Sequence, residues 1–131
     1  MGFFDELKQG GDISFRGMRN AARLLTDELS ASERESVFDS LCRGTAVLTE
    51  ERQLNQYLCS FGPMHEAKLR QAFSFLKTLM DIGQGYVEVL DWGCGQGVAT
   101  VCLLDHLRER GIRHNIRRVT LIDSSAEALS R

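Results

Sequence analysis

The 131-residue sequence lacks several features that would place it in a specialised class. It has no apolar run of about 18 residues, the length that a membrane-spanning helix needs. Its first eleven residues show no basic stretch followed by a long apolar segment, so they do not resemble a secretory signal peptide. With a single proline and no low-complexity tract, the chain is not typical of a disordered protein. We therefore expect a soluble globular protein without a membrane partner.

Charge and cysteine spacing exclude further classes. Sixteen basic residues face 18 acidic ones, and a net charge of −2 gives no overall attraction to nucleic acid or anionic lipid. Cys42, Cys59, Cys94 and Cys102 form no C-x-x-C pair, and the three histidines show no matching zinc-ligand spacing. We expect reduced thiols in a cytoplasmic protein, with neither a disulfide nor a bound metal.

Residues 1–82 are predicted to form a helical N-terminal region. Apolar residues there recur at spacings of three and four, which is typical of amphipathic helices. Candidate caps and glycines divide the region into four segments. The expected helices cover 16–29, a segment opened by a Ser32–Glu35 capping box, 50–60 with Thr49 as N-cap, and a last helix from Pro63 to about Ile82.

Residues 83–131 carry a different pattern, that of an α/β fold. The run YVEVLD over 86–91 predicts a strand that leads into a glycine-rich turn. A helix is expected over 98–110, a second strand over 119–123, and a further helix opened by Ser124 with Glu127. This order predicts two parallel strands joined by a crossover helix, the start of a Rossmann-like doubly wound sheet.

The glycine turn has the chemistry of a ligand site. Gly93, Gly95 and Gly97 lack a Cβ, so a ligand could approach the main chain closely. Asp91 and Asp123 end the two predicted strands and should lie at the same sheet edge, where open α/β folds bind ligands. A carboxylate there can accept two hydrogen bonds from a ribose diol.

The glycine spacing does not fit a dinucleotide or a triphosphate. The pattern Gly-x-Gly-x-x-Gly would need a third glycine at Val98 or Thr100, and no P-loop is present. A nicotinamide or flavin nucleotide is therefore the weaker alternative. An acidic residue facing the ligand favours a cationic, amine-bearing nucleoside instead.

The segments VEVLDWGCGQGVAT and VTLIDSS resemble motif I and the following acidic motif of class I S-adenosylmethionine-dependent methyltransferases. The resemblance covers residues 86–131 and implies S-adenosylmethionine as cofactor, with an unidentified methyl acceptor. By position, it implies that Asp91 lies near the methionyl amine and that Asp123 holds the ribose hydroxyls. The remaining residues implied are Gly93, Cys94, Gly95 and Gly97 around the methionyl and ribose portion, and Ser124 beside the adenine.

Two functions remain open at this point. Because the α/β part, 83–131, has only two predicted strands, we expect the chain to be the N-terminal part of such an enzyme, inactive alone and carrying half of the cofactor site. The alternative is a non-catalytic module that binds an adenosyl ligand or self-associates through an unpaired sheet edge.

Two polar groups have competing interpretations. Tyr57, His65 and Lys68 lie near the Gly-Pro break and could face the cofactor, as a helix in that position often does in the resembled family. Alternatively, Glu66 and Arg70 make a surface ion pair and His65 has no chemical role. The basic connection between the helix and the second strand could contact a phosphate-bearing substrate such as RNA, or it is a solvated loop. Its members are Arg108, Arg110, Arg113, His114, Arg117 and Arg118.

Overall fold

The computed structural model of the protein describes residues 2–11, 13–76 and 85–131. Within these ranges the chain forms helices first and a small α/β unit second. A short 3₁₀ turn, Cys42–Gly44, separates the third and fourth helices. In chain order the elements are α1 (Phe3–Gly10), α2 (Phe15–Asp27), α3 (Ala31–Ser40), α4 (Glu51–Ser60), α5 (Gly62–Phe73), β1 (Val87–Trp92), α6 (Val98–Glu109), β2 (Ile116–Ile122) and α7 (Ala126–Leu129).

The two strands pair in parallel, as the sequence predicts. Their register runs from Val87 opposite Ile116 to Trp92 opposite Ile122. Helix α6 connects them and follows directly on the glycine turn, so the predicted order of strand, turn, helix and strand is confirmed. The chain is thus of mixed α/β class. The carboxyl ends of both strands, and the loops that follow them, lie at the sheet edge that carries the glycine turn.

Three predicted helix starts are wrong by one or two residues. Ser30, not Ser32, caps α3: its hydroxyl accepts from the Glu33 amide at 3.3 Å, and the Glu33 carboxylate accepts from the Ser30 amide at 2.8 Å. Thr49 does not cap α4, because Glu50 takes the N-cap position. At the last helix Ser125 replaces Ser124 as the cap, accepting from the amide of Ala128 at 3.0 Å.

The helix predicted from Pro63 to Ile82 begins where expected and ends early. Pro63 lies in the first turn of α5, where its missing N–H costs nothing. The helix ends at Phe73, and the predicted stretch from 77 to 82 lies outside the described residues. The opposite error concerns α1, a helix of eight residues that the sequence interpretation missed.

The hydrophobic core joins the N-terminal helices to the glycine-turn helix. Leu58 of α4 is fully buried and packs in one cluster with the start of α6. A second, smaller cluster brings Ala128 of α7 against Leu54 of α4. The larger cluster consists of Phe3, Phe15, Met18, Ala21, Ala22, Leu58, Val98 and Cys102. The N-terminal helices therefore hold the start of α6, which follows directly on the turn, because they share buried side chains with it.

The apolar spacing in α6 predicts Val101, Leu104 and Leu107 as its inward stripe, and the structure confirms this only in part. Leu107 is buried and Val101 is half-buried, but Leu104 is 39% exposed. Cys102, and not Leu104, lies in the core. Its thiol is free, like those of the other three cysteines. Among the described helices, none is both long and apolar enough to cross a membrane.

Candidate functional site

A cavity of about 570 Å³ lies at the carboxyl ends of the two strands. Its volume is within the ~300–1,000 Å³ typical of small-molecule sites. The strand ends and the glycine turn form one wall, and α4, α5 and the loop before α4 form the other. Its lining includes Gly44, Leu48, Tyr57, His65, Lys68, Asp91, Gly93, Cys94, Gly95, Gln96, Val98, Asp123, Ser124 and Ser125.

The glycine turn presents open main chain to this cavity. Gly93, Gly95 and Gly97 have φ angles of 70°, 53° and 74°, in the left-handed region that glycine adopts without strain. A Cβ at any of the three would meet no neighbouring atom within 4 Å, so the space beside the turn is free. Gly93 and Gly95 line the cavity, whereas Gly97 is the residue before α6 and does not line it.

The turn is attached to the end of β2 by backbone hydrogen bonds. The amides of Gly93 and Cys94 both donate to the carbonyl oxygen of Ile122, at 2.7 and 3.0 Å. Gln96 adds a link to the helical wall, since its side-chain amide donates to the carbonyl of Leu54 at 3.0 Å. These bonds hold the turn in one position between the sheet and α4.

Asp123 lies at the tip of β2 and faces both the turn and the cavity. One carboxylate oxygen accepts the Gly95 amide at 2.8 Å, and the other accepts the Ser125 amide at 2.8 Å. A carboxylate oxygen has two lone pairs, so each can accept one further hydrogen bond. Asp123 is therefore oriented by the backbone while it keeps acceptor capacity for a ligand with two neighbouring hydroxyls.

Asp91 supplies a second carboxylate on the same edge. It lies at the end of β1, lines the cavity and accepts the Thr100 hydroxyl at 2.7 Å. The structure thus brings together Asp91, Asp123 and the turn between them, as the strand pattern predicts. Ser124 also lines the cavity, beside Asp123.

The two carboxylates give the cavity a negative potential, which raises the pKa of neighbouring groups. Burial raises the pKa of the Cys94 thiol, and the charges of Asp91 and Asp123 raise it further. Burial also raises the pKa of Tyr57, with Asp123 as the second cause. In the described lining the two carboxylates outnumber the one cation, Lys68, so the cavity suits a positively charged ligand.

The helical wall places Tyr57, His65 and Lys68 around the same cavity. The Tyr57 hydroxyl and Nε2 of His65 are 3.0 Å apart, and the two rings stack with centroids 5.8 Å apart. The surface pair of the competing interpretation is present as well: Arg70 contacts Glu66 at 3.1 Å. Both features coexist because they lie on different faces of α5.

The sequence interpretation missed the loop that closes the cavity, residues 44–48. This loop follows a chain reversal in which Cys42 and Arg43 have positive φ angles, 47° and 58°, that non-glycine residues rarely adopt. The Ser125 hydroxyl donates to the carbonyl of Leu48, which fixes the loop to the end of β2. In the sequence, Gly44 indicates only the end of the helix that precedes this loop.

Comparison with protein-family models, with curated proteins and with solved structures gave no match. The function of the chain is therefore inferred from the chemistry of the cavity and from the motifs that line it.

The basic connection lies away from this cavity. Arg118 faces Glu88 at 3.6 Å and the guanidinium of Arg117 lies 4.0 Å above the ring of Tyr86, both near the starts of the strands. None of the connection's basic residues lines the cavity. A substrate bound at the glycine turn would not contact them.

Proposed function

We propose that the chain forms the S-adenosylmethionine-binding part of a class I methyltransferase, with the cavity at the strand ends as the cofactor site. The observation that carries the proposal is the position of Asp123, which the Gly95 and Ser125 amides orient toward the cavity at 2.8 Å each. The negative potential supports it, because the cofactor has a cationic ammonium and a cationic sulfonium. The motif resemblance in 86–131 points to the same ligand.

Each residue of the site has a binding task in this proposal. Asp91 takes the methionyl amine, and Asp123 accepts the ribose hydroxyls. Gly93 and Gly95 let the ligand lie against the main chain, where a Cβ would occupy the space. Cys94 lines the turn between them and Ser124 lies where the adenine would be. Gly97 supports the turn by ending it in the left-handed conformation that starts α6.

The bound cofactor would supply an activated methyl group, so the protein's own task is alignment. The oriented carboxylates and the open turn hold the ligand in one direction. Tyr57 and His65 form a hydrogen-bonded pair of titratable groups on the helical wall of the cavity. We assign the pair no proton transfer, and the methyl acceptor is unidentified.

The first test is a calorimetric titration of the chain with S-adenosylhomocysteine and, separately, with NAD. We expect saturable binding of S-adenosylhomocysteine and none of NAD at the same concentrations. We expect no binding of NAD because a dinucleotide site needs a third glycine at a position where this chain has Val98, which lines the cavity. Binding of NAD alone would replace the proposal with the dinucleotide alternative.

A second prediction concerns Gly95→Val. Gly95 has a φ of 53°, and the new side chain would enter the space that the ligand needs. We expect the affinity for S-adenosylhomocysteine to fall below detection. Gly111→Val is the matched control, because Gly111 has a similar φ of 62° and open surroundings but lies at the end of α6. Both variants should lose about 1–2 kcal/mol of stability from backbone strain; equal loss of binding in both would refute the ligand position.

Self-association through the sheet is a second candidate function. Leu90 and Trp92 on one face of β1 are 62% and 78% exposed, and among the described residues each strand has one unpaired edge. Apolar side chains next to open edges favour pairing with another copy. Sedimentation equilibrium decides this candidate: a monomer at all concentrations removes it.

A further inference from the structure

A second cleft, of about 660 Å³, lies between α2, α5 and α6 and shares none of its described lining residues with the cavity. Three arginines of α2 line it together with one arginine from each of the other two helices. Three carboxylates line it as well. The charged residues are Arg16, Arg19, Arg23, Arg70 and Arg108 on the basic side and Glu66, Asp105 and Glu109 on the acidic side.

Two of the carboxylates pair with Arg70. Its guanidinium donates to both oxygens of Glu109, at 2.7 and 3.0 Å, and to Glu66 at 3.1 Å. These hydrogen bonds raise the pKa of Arg70 and lower that of Glu109. Arg70 therefore joins α5 to α6 and keeps both acids occupied.

The third carboxylate, Asp105, is occupied too. Its side chain is buried, accepts the Arg108 guanidinium at 2.6 Å and accepts the Phe15 amide at 2.8 Å. The second bond satisfies a free amide in the first turn of α2. Among the described residues, these three carboxylates pair with Arg70 and Arg108 and not with the arginines of α2.

Arg16, Arg19 and Arg23 are spaced three and four residues apart, so they share one face of α2. Within residues 2–11, 13–76 and 85–131, none of the three has an ion-pair partner. Nε of Arg19 is buried and has no hydrogen-bond acceptor. Arg16 and Arg23 are exposed and line the cleft, so an anionic ligand there would pair with their charges.

We infer that this cleft binds the phosphate group of a small phosphorylated molecule. Guanidinium groups match phosphate oxygens in charge and in planar, two-point geometry. Asn20 lines the same cleft and adds a neutral donor. The three arginines of α2 line one cleft on a chain whose net charge is −2, which favours a single phosphate group over the extended backbone of a nucleic acid.

The test is a calorimetric titration of the chain with inorganic phosphate in low-salt buffer. We expect saturable binding of one phosphate, weakened at least about tenfold in Arg23→Gln, since losing a charge-assisted hydrogen bond has that effect. Arg19→Gln should weaken it similarly. Arg113→Gln is the matched control: it removes the same charge from the connection after α6, and its affinity should stay within about twofold of the parent.

Three outcomes would overturn the inference. They are the absence of saturable phosphate binding, an equal loss in Arg113→Gln, and binding of a single-stranded oligonucleotide without binding of phosphate, which would indicate a nucleic-acid surface. Arg23 is exposed, so Arg23→Gln decides the matter even if Arg19→Gln does not fold. The titration is independent of S-adenosylhomocysteine, so its failure leaves the proposed function intact.

Discussion

Asp123→Ala is expected to lower the affinity for S-adenosylhomocysteine at least 100-fold. The substitution removes the acceptor for both ribose hydroxyls, and a hydrogen bond to a charged group is worth roughly 1.5–3 kcal/mol. Two such bonds exceed the 2.8 kcal/mol or so that corresponds to 100-fold. It also frees the amides of Gly95 and Ser125, which Asp123 now accepts at 2.8 Å, so the turn loses its orientation as well. Calorimetry measures the change.

The matched control is Glu88→Ala. Glu88 is a carboxylate near the start of β1, exposed and facing Arg118, so the variant has the same change of charge at the opposite end of the sheet. We expect its affinity for S-adenosylhomocysteine to stay within about twofold of the parent, because exposed charges far from a ligand are screened. Equal losses in Asp123→Ala and Glu88→Ala would contradict the site geometry.

Leu58→Ala is expected to lower the free energy of unfolding by about 3 kcal/mol. Leu58 is fully buried in α4, in the cluster that joins the N-terminal helices to Val98 and Cys102 of α6. Truncating such a leucine removes buried apolar surface and leaves a cavity, at a cost of roughly 2–5 kcal/mol. Urea unfolding followed by circular dichroism gives the difference.

Leu24→Ala is the control. It separates the effect of removing a buried side chain from the effect of replacing a leucine in a helix. Leu24 lies in α2 and is 51% exposed, so the same substitution there should change stability by less than about 1 kcal/mol. Similar losses in both variants would mean that Leu58 is not part of a shared core. A small loss in both would argue against the packing of α4 in this cluster.

The α/β part could be predicted from the sequence because its signals are local. The order of elements follows from a β-branched run, three alternating glycines and a second β-branched run. The glycines permit the positive φ that the turn has at 93, 95 and 97. The placement of Asp91 and Asp123 at one edge follows from parallel pairing alone. Those elements of the site can therefore be predicted from the sequence alone.

The helix boundaries and the loop at 44–48, which forms part of the cavity wall, could not be predicted in this way. Ser30–Glu33 and Ser32–Glu35 both satisfy the capping-box pattern, so the sequence cannot choose between them. The loop at 44–48 reaches the cavity through a contact between Ser125 and Leu48, 77 residues apart. Contacts of that separation depend on packing of the whole chain and leave no periodic pattern.

The central claim is that an adenosyl ligand lies between the glycine turn and Asp123. Its most direct test is a two-dimensional ¹⁵N NMR titration of the labelled chain with S-adenosylhomocysteine. The account predicts that the amide signals of Gly93, Gly95 and Ser125 shift progressively and saturate together, while those of Arg117 and Arg118 stay in place. Unchanged signals at Gly95 and Ser125, or shifts concentrated at Arg117 and Arg118, would contradict it.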